Sequence, residues 1–238
     1  MAHDNPLVAL GEKKGFISVF PDGLNKWWNG GRTHERFKGS DRSDDVVFVS
    51  KMIDALDAHY RIDSKRIFAT GSSNGAIFCY TLAVRLSTRI AAIAPVNGSL
   101  GSEIPKHIRP ECPVSVVSFN GTADPFVPYT GHENGNEGSL LSVPDTIAFW
   151  VGADGCVPEP AVTRDKPSPL DDGLSIVRLF YAKQKTSCEV YAFIIGHGGH
   201  TWPGAHTDPT WAKRAGKTAM SINADEIMWD FFEQHPKP

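Results

Sequence analysis

The stretch that decides the fold is RIFATGSSNGA at residues 66–76, where a β-rich run leads into a glycine-rich turn. It contains the pattern Gly-x-Ser-x-Gly, with Ser73 at the centre. Such a pattern lets a strand turn sharply into a helix and holds the serine out at the tip of the turn. We expect glycine at positions 71 and 75 for steric reasons, because a side chain there would meet the neighbouring strand or helix. The stretch predicts a nucleophilic serine, with a purely structural tight turn as the alternative.

The residues on either side of the turn fit this prediction. Residues 66–70 are typical of a short buried strand, and residues 76–86 carry apolar side chains at helical spacing. The N-terminus of that helix would direct free N–H groups and a positive dipole end at an oxyanion forming beside Ser73. The backbone N–H of Asn74 can supply one of these donors.

Length and composition favour a single α/β domain over residues 1–238. The net charge of −3, from 24 basic and 27 acidic residues, gives no electrostatic reason to expect nucleic acid or an anionic membrane as a partner. No apolar run approaches the length of a membrane-spanning helix, and the first residues do not resemble an export signal. The sequence leaves the oligomeric state open.

Helical patterns alternate with β-rich runs along the whole chain, which predicts a mostly parallel sheet with helices on both faces. Residues 155–173 are predicted to be a proline-rich surface loop. The predicted helices cover residues 6–14, 46–60, 76–86, 143–151 and 222–232, and the predicted strands cover residues 15–20, 66–70, 90–96, 114–119, 176–181 and 190–195.

The four cysteines show no Cys-x-x-Cys spacing, which argues against a structural zinc site and against thioredoxin-like chemistry. Cys156 and Cys188 lie in loop-like surroundings and favour a disulfide, which would indicate an oxidising compartment. The alternative is a pair of buried free thiols. Cys79 falls within the helix after Ser73 and is predicted to be a buried free thiol.

Ser73, Asp124 and His200 each follow a predicted strand, in the order nucleophile, acid, histidine. Reactive groups of open parallel sheets collect beyond the carboxyl ends of the strands, and this order is the one found in α/β-hydrolases. A serine hydroxyl needs a neutral imidazole to accept its proton, and a carboxylate fixes the imidazole tautomer. The three residues therefore predict a catalytic triad that works without a cofactor.

Each partner of Ser73 has an alternative interpretation. Asp124 precedes a proline and is typical of a turn-capping residue. His197 and His206 are rivals of His200, and the three histidines together could be metal ligands, although no carboxylate cluster lies nearby. Gly198-Gly199 predicts a mobile loop that lets the ring of His200 swing toward the serine.

Three strings of this sequence resemble the secreted polyhydroxybutyrate depolymerase and feruloyl or acetylxylan esterase family. They are GSSNGA at residues 71–76, GTADPFVPY at residues 121–129 and GGHTWPG at residues 198–204, and the last is the most specific. The similarity extends from about residue 5 to residue 232.

The resemblance implies an extracellular α/β-hydrolase that cleaves carboxylic esters, with Ser73 as nucleophile, His200 as base and Asp124 as the residue that orients it. It also implies a disulfide between Cys156 and Cys188. Family members carry further N-terminal strands and a His-Gly loop that gives the second oxyanion donor, and this sequence begins after that point. We therefore expect a gap inside the sheet, and either a longer protein or impaired activity.

The favoured function is hydrolysis of feruloyl or acetyl esters on plant polysaccharide, because Trp28 and Trp202 could stack on a ring of the substrate. The alternative within the same class is a polyhydroxybutyrate depolymerase. A non-catalytic binding domain with an incomplete oxyanion hole and a histidine-ligated metal protein are the alternatives from other classes.

Overall fold

The computed structural model describes residues 5–31, 44–135 and 138–237. The helices in these ranges are α1 (Pro6–Lys14), α2 (Asp45–His59), α3 (Asn74–Arg85), α4 (Ile104–His107), α5 (Val143–Ala153), α6 (Pro209–Ala215) and α7 (Ala224–Gln234). The strands are β1 (Phe68–Ser72), β2 (Ala92–Val96), β3 (Ser115–Gly121), β4 (His132–Gly135), β5 (Gly138–Leu140), β6 (Ala161–Arg164), β7 (Ser175–Tyr181) and β8 (Val190–Gly196).

Six of the strands form one sheet in the order β1-β2-β3-β8-β7-β6, and β4 and β5 form a separate hairpin. Strands β1, β2, β3 and β8 are parallel, whereas β7 and β6 run antiparallel to their neighbours. The prediction of a mostly parallel sheet is confirmed. The predicted internal gap is wrong for the described residues, because the six strands pair without interruption and β1 lies at an edge.

Apolar layers cover both faces of the sheet. Successive residues of β2 point to opposite faces, so Ile93 joins one layer while Ala92 and Ala94 join the other. The first layer packs α2, α3 and α5 against the sheet around the fully buried Trp150. The second layer packs α7 through the equally buried Met228. The carboxyl ends of the parallel strands therefore open between two layers of helices.

Local signals explain where the first helix begins and ends. The Asn5 side chain accepts the N–H of Leu7 at 3.0 Å, and Gly15 ends α1 in the left-handed conformation with φ of 78°. The predicted strand over residues 15–20 is wrong, since that segment contains no strand. Ile17 and Phe20 are exposed, and Phe16 stacks on Trp229 instead of entering the sheet.

The proline-rich segment at residues 155–173 contains strand β6, so its prediction as a loop is wrong for those four residues. β6 pairs with β7 from Ala161 opposite Phe180 to Arg164 opposite Val177. All four residues of β6 are exposed. An edge strand without a buried face carries no alternation of apolar and polar residues for sequence analysis to detect.

The predicted disulfide is absent, because Cys156 and Cys188 are both buried free thiols. The Cys156 thiol donates to the backbone carbonyl oxygen of Cys188 at 3.6 Å, so its sulfur faces the backbone of that residue. Burial raises the pKa of Cys156 to about 12, which keeps the thiol protonated. Cys79 is a buried free thiol, as predicted.

Asp154, which follows α5, has a completely buried side chain. Its Oδ1 accepts the backbone N–H of Val114 at 2.8 Å, while its Oδ2 has no hydrogen-bond partner among the described residues. Burial raises the pKa of this carboxyl group to about 7. The neutral acid is therefore the form that suits this position.

No helix in the described ranges combines the length and the apolar character that crossing a bilayer requires.

Candidate active site

Ser73 occupies the turn between β1 and α3, and the predicted strand, turn and helix are confirmed around it. Its φ of 57° and ψ of −122° are rare for a residue with a side chain. The Ser73 N–H donates to the carbonyl oxygen of Val96, and the Ser73 carbonyl accepts the N–H of Ile77, both at 3.0 Å. The Ser73 side chain makes no capping bond to α3, so the helix leaves its hydroxyl available for chemistry.

The two glycines of the motif differ in what they contribute. A Cβ at Gly71 would lie 2.8 Å from the carbonyl carbon and 2.9 Å from the carbonyl oxygen of Gly75, closer than real contacts allow. A Cβ at Gly75 would meet no described atom within 4 Å. The steric prediction is therefore confirmed at position 71, where a side chain would meet the backbone at the start of α3. It is wrong at position 75, where a Cβ would point into open space among the described residues.

Asn74 is fastened to the loop that carries Trp28. The Trp28 N–H donates to Asn74 Oδ1 at 2.8 Å, and Asn74 Nδ2 donates to the Trp28 carbonyl oxygen at 2.9 Å. Asn74 is the first residue of α3, where backbone N–H groups lack an acceptor within the helix. Its backbone N–H is thus free of the helical hydrogen-bond ladder, next to the Ser73 hydroxyl.

Asp124 and His200 are in direct contact, although 76 positions separate them in the sequence. His200 Nδ1 lies 2.7 Å from Asp124 Oδ2, and the two side chains are only 6% and 2% exposed. Asp124 follows β3, and its Oδ1 accepts the N–H groups of Phe126 and Val127 at 2.8 Å each. One carboxylate therefore both caps the turn and holds the imidazole through Nδ1, and with the ring proton on Nδ1 the other nitrogen, Nε2, can accept a hydrogen bond.

The loop after β8 holds His200 by close backbone contacts. The N–H of His200 donates to the Ala215 carbonyl oxygen, and a Cβ at Gly199 would clash with that same oxygen. A Cβ at Gly121 would likewise meet the backbone of Gly198 at 2.3 Å. Gly198 and Gly199 are buried. These glycines allow two backbones to approach each other closely, and the predicted mobility of the loop stays a prediction.

A short series of hydrogen bonds connects the serine turn with the histidine loop. Ser73 bonds to Val96 at the end of β2, as described above. The next residue, Asn97, donates from Nδ2 to the carbonyl oxygen of Thr201 at 2.7 Å. Thr201 directly follows His200. The carboxyl ends of β1, β2, β3 and β8 therefore bring the three predicted triad residues to the same edge of the sheet.

The two tryptophans predicted to contact substrate are engaged in packing. The Trp28 ring stacks on Phe78 with centroids 4.8 Å apart and planes within 1°. The Trp202 indole N–H donates to Asp225 Oδ1 at 3.2 Å, and burial raises the pKa of Asp225. Both tryptophans are half-buried. Their contact with a substrate stays a prediction.

Sequence analysis missed two aromatic residues beside His200. The Phe126 ring meets the imidazole in a T-shaped contact with centroids 5.2 Å apart. Trp211, in α6, stacks on Phe126 at 5.3 Å with planes within 2°, and its centroid lies 6.5 Å from that of His200. Phe126 stands two positions after Asp124, which is a signal that sequence analysis could have used. Trp211 carried no such signal, since only the fold brings α6 to this edge.

His197 and His206, the rivals of His200, are both exposed. The backbone N–H of His197 donates to Thr122 Oγ1 at 2.8 Å, which orders its loop without involving the ring. In the part of the chain that the structure describes, no group of three histidine, cysteine or acidic side chains is arranged to hold a metal ion.

Several known proteins that are similar to this chain in sequence are named as esterases. The chain is 27% identical over 241 residues to the protein NocK of Nocardia uniformis subsp. tsuyamanensis, provisionally named an esterase, and the match covers 97% of this chain and 69% of NocK. The chain is related to esterases. Feruloyl esterase B of Piromyces equi is 29% identical over 156 residues, which are 61% of this chain and 28% of that protein. No family model matches the chain.

A solved structure shows the fold class. The acetyl xylan esterase from Aspergillus awamori superposes with a TM-score of 0.62, covering 98% of this chain and 83% of that chain at 16% sequence identity. The fold is that of an α/β-hydrolase, as the resemblance implied.

Proposed function

We propose that this chain is a serine carboxylic ester hydrolase in which Ser73 is the nucleophile, His200 the general base and Asp124 the residue that orients the imidazole. The observation that carries the proposal is the buried 2.7 Å hydrogen bond between Asp124 Oδ2 and His200 Nδ1, at the edge of the sheet where Ser73 occupies its strained turn. Relatives named as esterases support the reaction class.

The reaction proceeds in two halves. Ser73 Oγ attacks the ester carbonyl carbon while His200 Nε2 takes the hydroxyl proton, and the carbonyl oxygen becomes an oxyanion. The imidazolium then gives this proton to the leaving alcohol oxygen, the carbon–oxygen bond breaks and an acyl-serine remains. Water attacks the acyl-serine with the same help from His200, which releases the acid and regenerates Ser73.

Two features of the site stabilise charge during these steps. Asp124 faces Nδ1 and stabilises the imidazolium, while its two backbone N–H partners keep it in place. The Asn74 N–H, at the positive end of α3, donates to the oxyanion. One such donor is worth about 2.7–4 kcal/mol of transition-state stabilisation.

For the substrate we propose feruloyl or acetyl esters on plant polysaccharide, since relatives in sequence and structure are named feruloyl esterase and acetyl xylan esterase. The rate of acid release from feruloylated xylan and from acetylated xylan tests this proposal. The rate on polyhydroxybutyrate granules tests the alternative that the substrate is a polyester. Secretion is the location that the resemblance implies, and it stays a prediction.

Hydrolysis of p-nitrophenyl acetate tests the reaction class, together with the intact mass after treatment with a fluorophosphonate. The neighbouring Ser72 is exposed and gives a matched control. We expect Ser73→Ala to lose the adduct and to lower kcat by about 10⁴-fold or more, since a triad serine acts only as part of its unit. Ser72→Ala should keep both.

Two results would contradict the proposal. An adduct that persists in Ser73→Ala would mean that another residue is the nucleophile. A folded wild-type chain that neither reacts with the fluorophosphonate nor hydrolyses the ester would favour a non-catalytic binding domain.

A further inference from the structure

The stacked rings of Phe126 and Trp211, the aromatic pair, give the active site an apolar border next to His200. Trp211 is 40% exposed, although its ring is held parallel to that of Phe126. Phe126 in turn contacts the imidazole and is fixed through its N–H to Asp124. A rigid, exposed aromatic surface beside a catalytic base is suited to contact a ligand, because a large area is buried at little cost in conformational entropy.

The position of the aromatic pair indicates which half of an ester it faces. His200 must deliver its proton to the leaving alcohol oxygen, so the alcohol half lies within hydrogen-bond reach of the imidazole. The acyl half stays attached to Ser73, whose turn is built from β1 and α3. Groups packed against the imidazole therefore border the alcohol half.

We propose that the aromatic pair binds the alcohol half of the substrate and that this half is a sugar ring, an inference that rests on the proposed function. The flat C–H face of a pyranose can pack on an aromatic surface, whereas the acyclic alcohol half of a polyester has no such face. The Arg214 guanidinium carbon lies 5.9 Å from the Trp211 ring centroid, and its N–H groups can donate to ring hydroxyls.

This assignment makes Trp211 a specificity-determining residue that takes no part in proton transfer. It lies on α6, whose last residue, Ala215, accepts the backbone N–H of His200. The same short helix thus carries the tryptophan and fixes the histidine loop. The distance between the aromatic pair and the imidazole of His200 is therefore set by one helix.

Two esters with the same acyl group test the inference, namely ethyl acetate and an acetylated xylo-oligosaccharide, with acetate release as the readout. The quantity compared is the ratio of kcat/KM for the sugar ester to kcat/KM for ethyl acetate. Trp211→Ala should lower this ratio about tenfold, mainly through KM, as expected for one aromatic contact. Tyr60→Ala is the matched control, since Tyr60 is an exposed aromatic residue at the end of α2.

Trp211→Phe keeps a ring at the position and should restore most of the ratio, which separates lost stacking from a folding defect. An unchanged ratio in Trp211→Ala, with ethyl acetate still hydrolysed by the wild type, would overturn the assignment of the aromatic pair alone. A wild-type chain that hydrolyses neither ester and forms no fluorophosphonate adduct would overturn the proposed function as well.

Discussion

Replacing Asp124 by asparagine gives a sharp test of how the imidazole is held. The N–H groups of Phe126 and Val127 both donate to Asp124 Oδ1. An amide has a single acceptor oxygen, so in Asp124→Asn these donors keep the carbonyl oxygen and the NH₂ group turns toward His200. Nδ1 must then accept a hydrogen bond and the ring proton moves to Nε2. An imidazole protonated there cannot take the proton of the serine hydroxyl.

The expected size of the effect follows from this change of tautomer. An inverted tautomer costs about 10⁴-fold in kcat in another serine hydrolase, which corresponds to about 5.5 kcal/mol. Loss of a charged hydrogen bond alone is worth about 1.5–3 kcal/mol, or about ten- to two-hundredfold. The measured kcat therefore separates the two explanations for any loss in Asp124→Asn.

The assay is hydrolysis of p-nitrophenyl acetate at neutral pH, combined with ¹⁵N NMR of the His200 ring to locate its proton. Asp171→Asn is the matched control, because Asp171 Oδ1 also accepts two backbone N–H groups, at 2.7 and 2.8 Å. It should keep its kcat. A loss of kcat in Asp124→Asn of about two-hundredfold or less, or a ring proton that stays on Nδ1, would refute the reasoning.

Two further predictions concern the free energy of unfolding, which urea titration measures. Gly71→Ala should lower the free energy of unfolding by about 1–3 kcal/mol, because its Cβ meets the backbone of Gly75. Gly75→Ala should lower it far less, since a Cβ there meets no described atom within 4 Å. Equal losses in the two variants would contradict the steric argument. The pKa of Asp154 is raised from 3.8 to about 7, so between these pH values the folded chain keeps a proton that the unfolded chain releases. The free energy of unfolding should therefore fall as the pH rises from 3.8 to about 7, by at most about 4 kcal/mol. Asp154→Asn should flatten this fall, and an unchanged slope would speak against the raised pKa.

The sequence allowed the prediction of elements whose signals are local. Helix α1 has its asparagine cap and its terminal glycine, and α2 and α3 have apolar residues at helical spacing, so all three lie close to where they were expected. The turn around Ser73 was predictable for the same reason, since its strand, glycine and helix are adjacent in the sequence. The contact between Asp124 and His200 could be anticipated because both follow strands of one parallel sheet.

What could not be predicted depends on partners that are distant in the sequence. Residues 15–20 have the composition of a strand, but Phe16 packs on Trp229 and no strand forms there. The pair Gly198-Gly199 is typical of a mobile loop, and the sequence gives no sign that the Ala215 carbonyl oxygen leaves no room for a side chain at Gly199. The spacing of Cys156 and Cys188 could not reveal that one sulfur faces a backbone carbonyl.

The edge position of β1 has a consequence for how the sheet opens locally. Among the described strands, β1 pairs with β2 alone, and its residues are at best half-buried, whereas every residue of β2 and β3 is buried. Edge elements with few buried contacts open locally at a lower free energy than the core of the same domain. The Ser73 turn directly follows this edge strand, whereas Asp124 and His200 follow the interior strands β3 and β8. We therefore expect amide hydrogen exchange in β1 to respond to mild denaturant before exchange in β2 and β3 does.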